Sequence, residues 1–258
     1  KVLASSETVF SPEIVRYKTL EDGDSLALHI FKPRNMQAGE KRPAIVYFFG
    51  GGWKLGTPLQ FYRECAYYAS KGMVAVSVDY RIEYLHHSTP FDSFEDAKDA
   101  ICWLRSHASD YQLDPDKIAV AGGSAGGHLA AALGTIGSDE AVNYRPNLSV
   151  LYYPVVDMVS RGYGFPEIKR DFEKISPIHH VSEATPSTLI LLGTKDPIVS
   201  VETIRSYQDK LLQKGVDCEL HLFEGAGHPI FLYRKPLTED YYKVRKLTDD
   251  FLKREGFL

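Results

Sequence analysis

A serine hydroxyl becomes a useful nucleophile when a base takes its proton, a third group fixes that base, and fixed dipoles receive the charge that develops on the attacked carbonyl. The sequence offers residues suited to each task. Gly122-Gly123-Ser124-Ala125-Gly126 fits G-x-S-x-G, directly after the apolar run Lys117-Ile118-Ala119-Val120-Ala121 and directly before a helical pattern over 127–133. A serine on a sharp strand-to-helix turn needs small residues two positions to either side, and glycine stands at both. The turn also sets the hydroxyl near a helix N-terminus, where free N–H groups and the helix dipole favour negative charge. Such a turn could hold a phosphate instead. Neither glycine cluster fits G-x-G-x-x-G, and G-x-x-x-x-G-K-[ST] does not occur, which disfavours nucleotide binding.

The base and the orienting acid follow in chain order. Asp196, in Thr194-Lys195-Asp196-Pro197, comes just after an apolar run ending in Leu191-Leu192-Gly193. His228, in Glu224-Gly225-Ala226-Gly227-His228-Pro229, follows the last strand-like run. Both then belong at the carboxyl edge of a parallel sheet, where ligands bind. Asp157, after the run 148–153, is the alternative acid. For the charge on the carbonyl oxygen, Phe49-Gly50-Gly51-Gly52-Trp53 supplies a glycine loop at the end of a strand, with the N–H groups of Gly51 and Gly52 as candidate donors and that of Ala125 as a third.

The elements that must position these residues can be read from hydrophobic patterning. Short apolar, β-branched runs alternate with helical patterns, the signature of a mostly parallel sheet with helices on both faces. Strands are expected over residues 14–19, 25–31, 43–48, 73–79, 118–122, 148–153, 187–193 and 217–223, about eight in all, the first two as an antiparallel pair. Helices are expected over 59–71, from a cap at Ser93, over 200–214 and over 238–254. The stretch 159–186, rich in Gly, Pro, charge and aromatics, is expected to form a short lid or loop insertion.

The chain has 258 residues, 44% of them hydrophobic, enough for one large core, so a single domain over 1–258 is the expectation. Its net charge of −4 is spread without a basic block, which argues against nucleic acid. The longest apolar run, 44–49, is far short of the ~18 to 20 residues of a membrane span. Cys65, Cys102 and Cys218 are scattered and show no C-x-x-C spacing, so they read as core residues. The pairs His86-His87 and His179-His180 lack a third ligand at metal spacing and read as solvated loop residues. His128 is expected to pack or cap on the helix after Ser124. No metal and no cofactor is expected. The sequence leaves oligomeric state and compartment open.

Taken together, Gly50-Gly51-Gly52-Trp53, Val78-Asp79-Tyr80-Arg81, Asp114-Pro115-Asp116-Lys117-Ile118, Gly122 to Ala130, Gly193 to Pro197 and Gly227-His228 make the chain resemble the carboxylesterase and acetyl-esterase branch of the α/β-hydrolases, related to the hormone-sensitive-lipase-like group. The resemblance spans nearly the whole chain. It implies the α/β-hydrolase fold and a serine carboxylesterase with Ser124 as nucleophile, His228 as base, Asp196 as acid, and Gly51, Gly52 and Ala125 around the oxyanion. The family pattern usually has histidine before the three glycines, where Phe49 stands here. With no long cap, the resemblance further implies an open site for short acyl groups, acetyl or feruloyl, on a small-molecule or plant-polysaccharide ester. Two other readings stay open: a peptidase or amidase on the same scaffold, and an inactive hydrolase fold serving as a binding module.

Overall fold

The computed structural model describes residues 11–34, 36–137, 144–159, 166–233 and 237–258. Among these the extended segments are β1 (Glu13–Thr19), β2 (Ser25–Phe31), β3 (Arg42–Phe48), β4 (Val74–Val78), β5 (Leu113–Gly123), β6 (Leu148–Tyr152), β7 (Ser187–Gly193) and β8 (Cys218–Phe223). They form a single sheet in the order β1-β2-β4-β3-β5-β6-β7-β8. β1 pairs antiparallel with β2 and β2 antiparallel with β4, while every pair from β4 to β8 is parallel.

Burial explains the composition of each strand. β4 and β6 are buried at every position, and β3 and β7 at nearly every one, so the apolar runs Val74-Ala75-Val76-Ser77-Val78 and Thr188-Leu189-Ile190-Leu191-Leu192 need no polar face. β1 lies at one edge with several exposed residues, and β8 at the other is buried only at its ends.

The helices are α1 (Tyr62–Ser70), α2 (Glu83–His86), α3 (Pro90–Ser106), α4 (Ala125–Thr135), α5 (Val201–Gln213) and α6 (Glu239–Arg254). Ser200 caps α5 by accepting from Thr203 N–H, and Thr238 caps α6 by accepting from Tyr241 N–H. α1 and α6 are joined through the Tyr67 and Tyr68 hydroxyls, both bonded to the Asp249 carboxylate. α4 is buried at every residue, as its Ala- and Gly-rich sequence allows.

Four details differ from the sequence reading. The expected helix 59–71 is a 3-10 turn at Pro58–Phe61, with Pro58 at its start, followed by α1. α3 begins earlier than a Ser93 cap would place it: Thr89 is the cap, in a reciprocal capping box with Asp92, and Ser93 lies inside the first turns, bonding the Arg81 carbonyl. β5 starts at Leu113 rather than 118, because Leu113 pairs with Arg42 across an irregularity that sets aside Asp114 to Lys117. The short α2 had no counterpart in the reading. Of the expected lid, residues 160–165 lie outside the described residues, 166–175 form a 3-10 helix and Pro177–His179 another. Among the described residues, no helix is long and apolar enough to cross a membrane.

Candidate active site

Parallel pairing carries the ends of β3, β5, β7 and β8 to the same edge of the sheet, and the residues singled out above meet there. Ser124 sits between β5 and α4 with φ 56° and ψ −117°, a conformation that L-residues rarely adopt. Its N–H bonds the Tyr152 carbonyl of the neighbouring strand at 3.0 Å, and its carbonyl accepts the His128 N–H at 2.9 Å, opening the helix. The flanking glycines are sterically required. A Cβ on Gly122 would lie 2.3 Å from the Gly126 carbonyl oxygen, and one on Gly126 would lie 2.0 Å from that of Phe48. The sharp turn holds the hydroxyl out toward the pocket.

Ser124 Oγ lies 2.8 Å from His228 Nε2, and His228 Nδ1 lies 2.6 Å from Asp196 Oδ2. The other Asp196 oxygen accepts the N–H groups of Ile198 and Val199 at 2.8 and 2.9 Å. The carboxylate is fully enclosed, whereas the His228 side chain keeps 13% exposure toward the pocket. The two loops are stitched together: Lys195 N–H donates to the Ala226 carbonyl at 2.9 Å and Gly225 N–H to Thr194 Oγ1 at 2.8 Å. Gly193 permits that approach, since a Cβ there would lie 2.3 Å from the Ala226 oxygen. The alternative acid, Asp157, turns to its own backbone, accepting from Val159 N–H at 3.0 Å. A hydroxyl facing one imidazole nitrogen, with a carboxylate on the other, can pass a proton from oxygen to nitrogen without reorganising the site.

Gly50, Gly51 and Gly52 line the same cavity as Ser124 and His228, a space of about 460 Å³. Gly50 N–H is already donated to Gln60 Oε1 at 2.6 Å, which leaves Gly51 and Gly52 as the glycine-loop donors able to face a ligand. Gly52 adopts φ 65° and Gly51 φ 148°. Ala125 is the first residue of α4, where N–H groups lack intrahelical acceptors. Phe49 is buried and stacks on Tyr80, ring centroids 4.0 Å apart at 13°. The remaining lining is mostly apolar: Trp53, Leu55, Tyr153, Val155, Ile198, Pro229 and Leu232.

Several of these were not singled out in the sequence. Tyr153 combines φ 39° with an edge contact on His228, centroids 4.8 Å apart, and its hydroxyl lies where a side chain on Gly123 would fall. Nothing in its local pattern separates it from a strand-end tyrosine. Gln60 likewise reaches the site only through the fold. Of the histidine pairs, His86 Nδ1 accepts from Ile82 N–H and His180 Nε2 bonds the Glu173 carbonyl. Among the described residues, no cluster of three or more His, Cys, Asp or Glu could hold a metal ion.

His128 packs as the sequence suggests. It is fully buried on α4, its Nε2 is 2.7 Å from the Ile175 carbonyl, and its ring meets Trp53 edge-on at 5.1 Å. The carbonyl requires Nε2 to carry the proton, leaving Nδ1 buried with no hydrogen-bond partner among the described residues. Burial lowers its pKa from 6.5 to about 4. The unfolded chain therefore takes up a proton between those values that the native state refuses, and stability falls as pH drops through that window, by roughly 3 kcal/mol in all. His128→Gln keeps a donor for Ile175 without titrating. Urea midpoints for the variant should decline less steeply from pH 6.5 to 4 than those of the unmodified protein; parallel slopes would show that His128 carries none of the acid sensitivity.

Comparison with known proteins gives concordant likenesses. The family model described as BD-FAE matches residues 28–165. Esterase LipC of Mycobacterium tuberculosis is 29% identical over 239 residues, covering 80% of this chain and 57% of LipC. An acetylxylan esterase of Xylanibacter ruminicola is 25% identical over 242 residues, covering 86% of this chain and 48% of that enzyme. The chain spans about half the length of the curated relatives it matches. Among solved structures, a thermophilic esterase from the Planctomycetes species Thermogutta terrifontis superimposes with a TM-score of 0.89 at 38% identity, covering 96% of this chain and 93% of that one. That esterase has also been solved with propionate bound, with butyrate bound and phosphorylated by paraoxon.

Proposed function

This chain belongs to the BD-FAE family of α/β-hydrolase carboxylesterases, and on that premise we propose that it hydrolyses short-acyl carboxylic esters through a covalent intermediate on Ser124. The observation that carries the reading is the continuous hydrogen-bonded line from Asp196 through His228 to Ser124, opening into a cavity. His228 Nε2 takes the Ser124 proton as Oγ bonds to the ester carbonyl carbon, and the carbonyl oxygen becomes an anion facing the Gly51, Gly52 and Ala125 N–H groups. When the tetrahedral species collapses, the bond to the alkoxide breaks and the imidazolium gives the proton to that leaving oxygen. Water then repeats the sequence on the acyl-serine, releasing the carboxylic acid and restoring the serine. Asp196 accepts from Nδ1–H and so holds the tautomer that leaves Nε2 free to take the serine proton.

A cavity of about 460 Å³ walled by Leu55, Val155, Ile198, Pro229 and Leu232 suits a small apolar acyl group. The propionate- and butyrate-bound forms of the Thermogutta terrifontis esterase support an acyl chain of three or four carbons here. The likeness to an acetylxylan esterase favours acetyl on a polysaccharide as the second reading. Among the described residues, the aromatic rings lining the cavity, Trp53 and Tyr153, are both buried and offer no exposed platform for sugar stacking.

The test is hydrolysis of p-nitrophenyl esters from acetate to decanoate beside acetylated xylan and an aminoacyl p-nitroanilide. Acetate to butyrate should turn over fastest, with kcat/KM falling at least about 10-fold by decanoate, because extra methylenes must leave the cavity. Release of acetic acid from xylan at a comparable rate would favour the polysaccharide reading. Preference for the anilide would replace the esterase assignment with a peptidase, and silence on every substrate would leave a binding module.

A further inference from the structure

Between Phe49 and Gly56 the backbone takes positive φ at Gly51 (148°), Gly52 (65°), Trp53 (59°) and Gly56 (122°). Glycine has the most conformational freedom to lose, so N–H groups in such a run keep their aim only if the peptides around them are tied down. Several carbonyls of the loop are held by backbone. Gly51 O accepts from Lys54 and Leu55 N–H at 3.1 and 3.2 Å, Trp53 O from Glu83 N–H at 2.9 Å, and Lys54 O from Tyr84 N–H at 3.1 Å.

The entrance to the run is held differently. There, one peptide group is gripped at both ends by side chains. The Tyr80 hydroxyl donates to the Phe49 carbonyl at 2.6 Å, and the Gly50 N–H donates to Gln60 Oε1 at 2.6 Å. This peptide abuts the nucleophile: a Cβ on Gly50 would lie 3.4 Å from Ser124 Cβ and 2.7 Å from the Gly123 carbonyl oxygen. Because a peptide is planar, fixing both its carbonyl and its N–H fixes its orientation, and hence the direction in which the chain enters Gly50, immediately before the two donors. Phe49 itself contributes packing only, its ring lying on Tyr80 and against Gly56, where a Cβ would come within 2.5 Å of it.

We propose that Gln60 and Tyr80 are positioning residues that clamp the Phe49–Gly50 peptide and so aim the Gly51 and Gly52 N–H groups at the developing oxyanion. The inference rests on the esterase reading above. Neither side chain touches the reacting atoms; both act through the loop. The Phe49 side chain can offer no hydrogen bond, so these two groups supply the side-chain polar restraint at the loop's entrance. Gln60 also walls the cavity, yet its contribution as a clamp is to the transition state, because an ester in its ground state carries little charge for the donors to meet.

The experiment uses Gln60→Met, which keeps the length and removes the acceptor, Tyr80→Phe, which keeps the stack on Phe49 and removes the hydroxyl, and the double variant. Each is assayed on p-nitrophenyl butyrate and titrated with an alkyl trifluoromethyl ketone, which forms a serine adduct bearing the oxyanion. Loss of a whole oxyanion donor costs about 10²- to 10³-fold in rate, and a misaimed pair should lose part of that. Each single variant should lower kcat about 10- to 100-fold, hold KM within about 3-fold, and weaken the ketone by a similar factor to kcat. The double variant should fall no more than about 3-fold below the worse single one, since both act on one peptide. Losses confined to KM, kcat unchanged in both singles, or independent multiplication in the double would overturn the clamp. Should Gln60→Met not fold, Gln60→Ala is read in its place, and failure of both to fold would assign the contact to stability and overturn the proposal. Absence of turnover in the unmodified protein would instead defeat the esterase reading, and this inference with it.

Discussion

Ser124→Ala should abolish ester hydrolysis, lowering kcat by about 10⁴- to 10⁶-fold while leaving the protein folded, the range expected when a triad nucleophile is removed and only binding and the oxyanion donors persist. The structure explains why the fold should survive. The hydroxyl bonds His228 Nε2, whereas the bonds that build the turn, from Ser124 N–H to Tyr152 and from His128 N–H to Ser124, are made by backbone. Alanine faces the same φ of 56° as serine, so the change adds no backbone strain. Urea unfolding beside the kinetics separates the two effects. A folded variant that kept more than about 1% of the activity would remove Ser124 from the reaction.

Asp196→Asn should lower kcat by about 10⁴-fold with little change in KM. The carboxylate does two jobs, and asparagine can do one of them. Its oxygen can still accept the Ile198 and Val199 N–H groups that shape the loop. The amide NH₂ then occupies the place of Oδ2, 2.6 Å from His228 Nδ1, and as a donor it demands a bare Nδ1. His228 is thereby driven to the tautomer with the proton on Nε2, the nitrogen that must accept from Ser124. Asp157→Asn, by contrast, should stay within about 3-fold of the unmodified enzyme, because Asp157 bonds Val159 N–H and not His228. Equal losses in the two variants would show that Asp196 has no special claim to the role.

Much of this site could be read in the sequence because its parts are local. A glycine two residues to either side of Ser124 is needed by contacts within the turn or with the adjoining strand end, and those contacts exist wherever an apolar strand turns sharply into a helix. Asp196 and His228 were found for a related reason: each follows a strand of a parallel sheet, so chain order alone puts them at one edge. The strand assignments benefited from burial on both faces, which writes β4 and β7 as mostly apolar runs, the buried Ser77 hydroxyl of β4 being satisfied by the Pro58 carbonyl.

What escaped the sequence depends on groups brought together by the fold. Gln60 meets Gly50 across ten residues and Tyr80 meets Phe49 across thirty-one, contacts with no local signature. Tyr153 owes its position beside His228 to the end of β6 and to a positive φ that sequence favours in glycine or asparagine rather than tyrosine. The α3 cap was a different kind of miss. Thr89-Pro90-Phe91-Asp92 carries a capping box with proline at the first helical position, a stronger local signal than Ser93 alone, and the structure follows it. The expected helix 59–71 opens instead with a tighter 3-10 turn that Pro58 starts, and that turn delivers Gln60 to the glycine loop.

The most direct test of the account is covalent labelling of the folded protein by paraoxon, followed by intact mass and peptide mapping. The expected result is one phosphoryl group per chain on Ser124, one equivalent of p-nitrophenol released, ester hydrolysis lost in step with labelling, and no adduct on Ser124→Ala. An enzyme that still turned over esters with Ser124 unlabelled, or that carried the adduct on another residue, would contradict it.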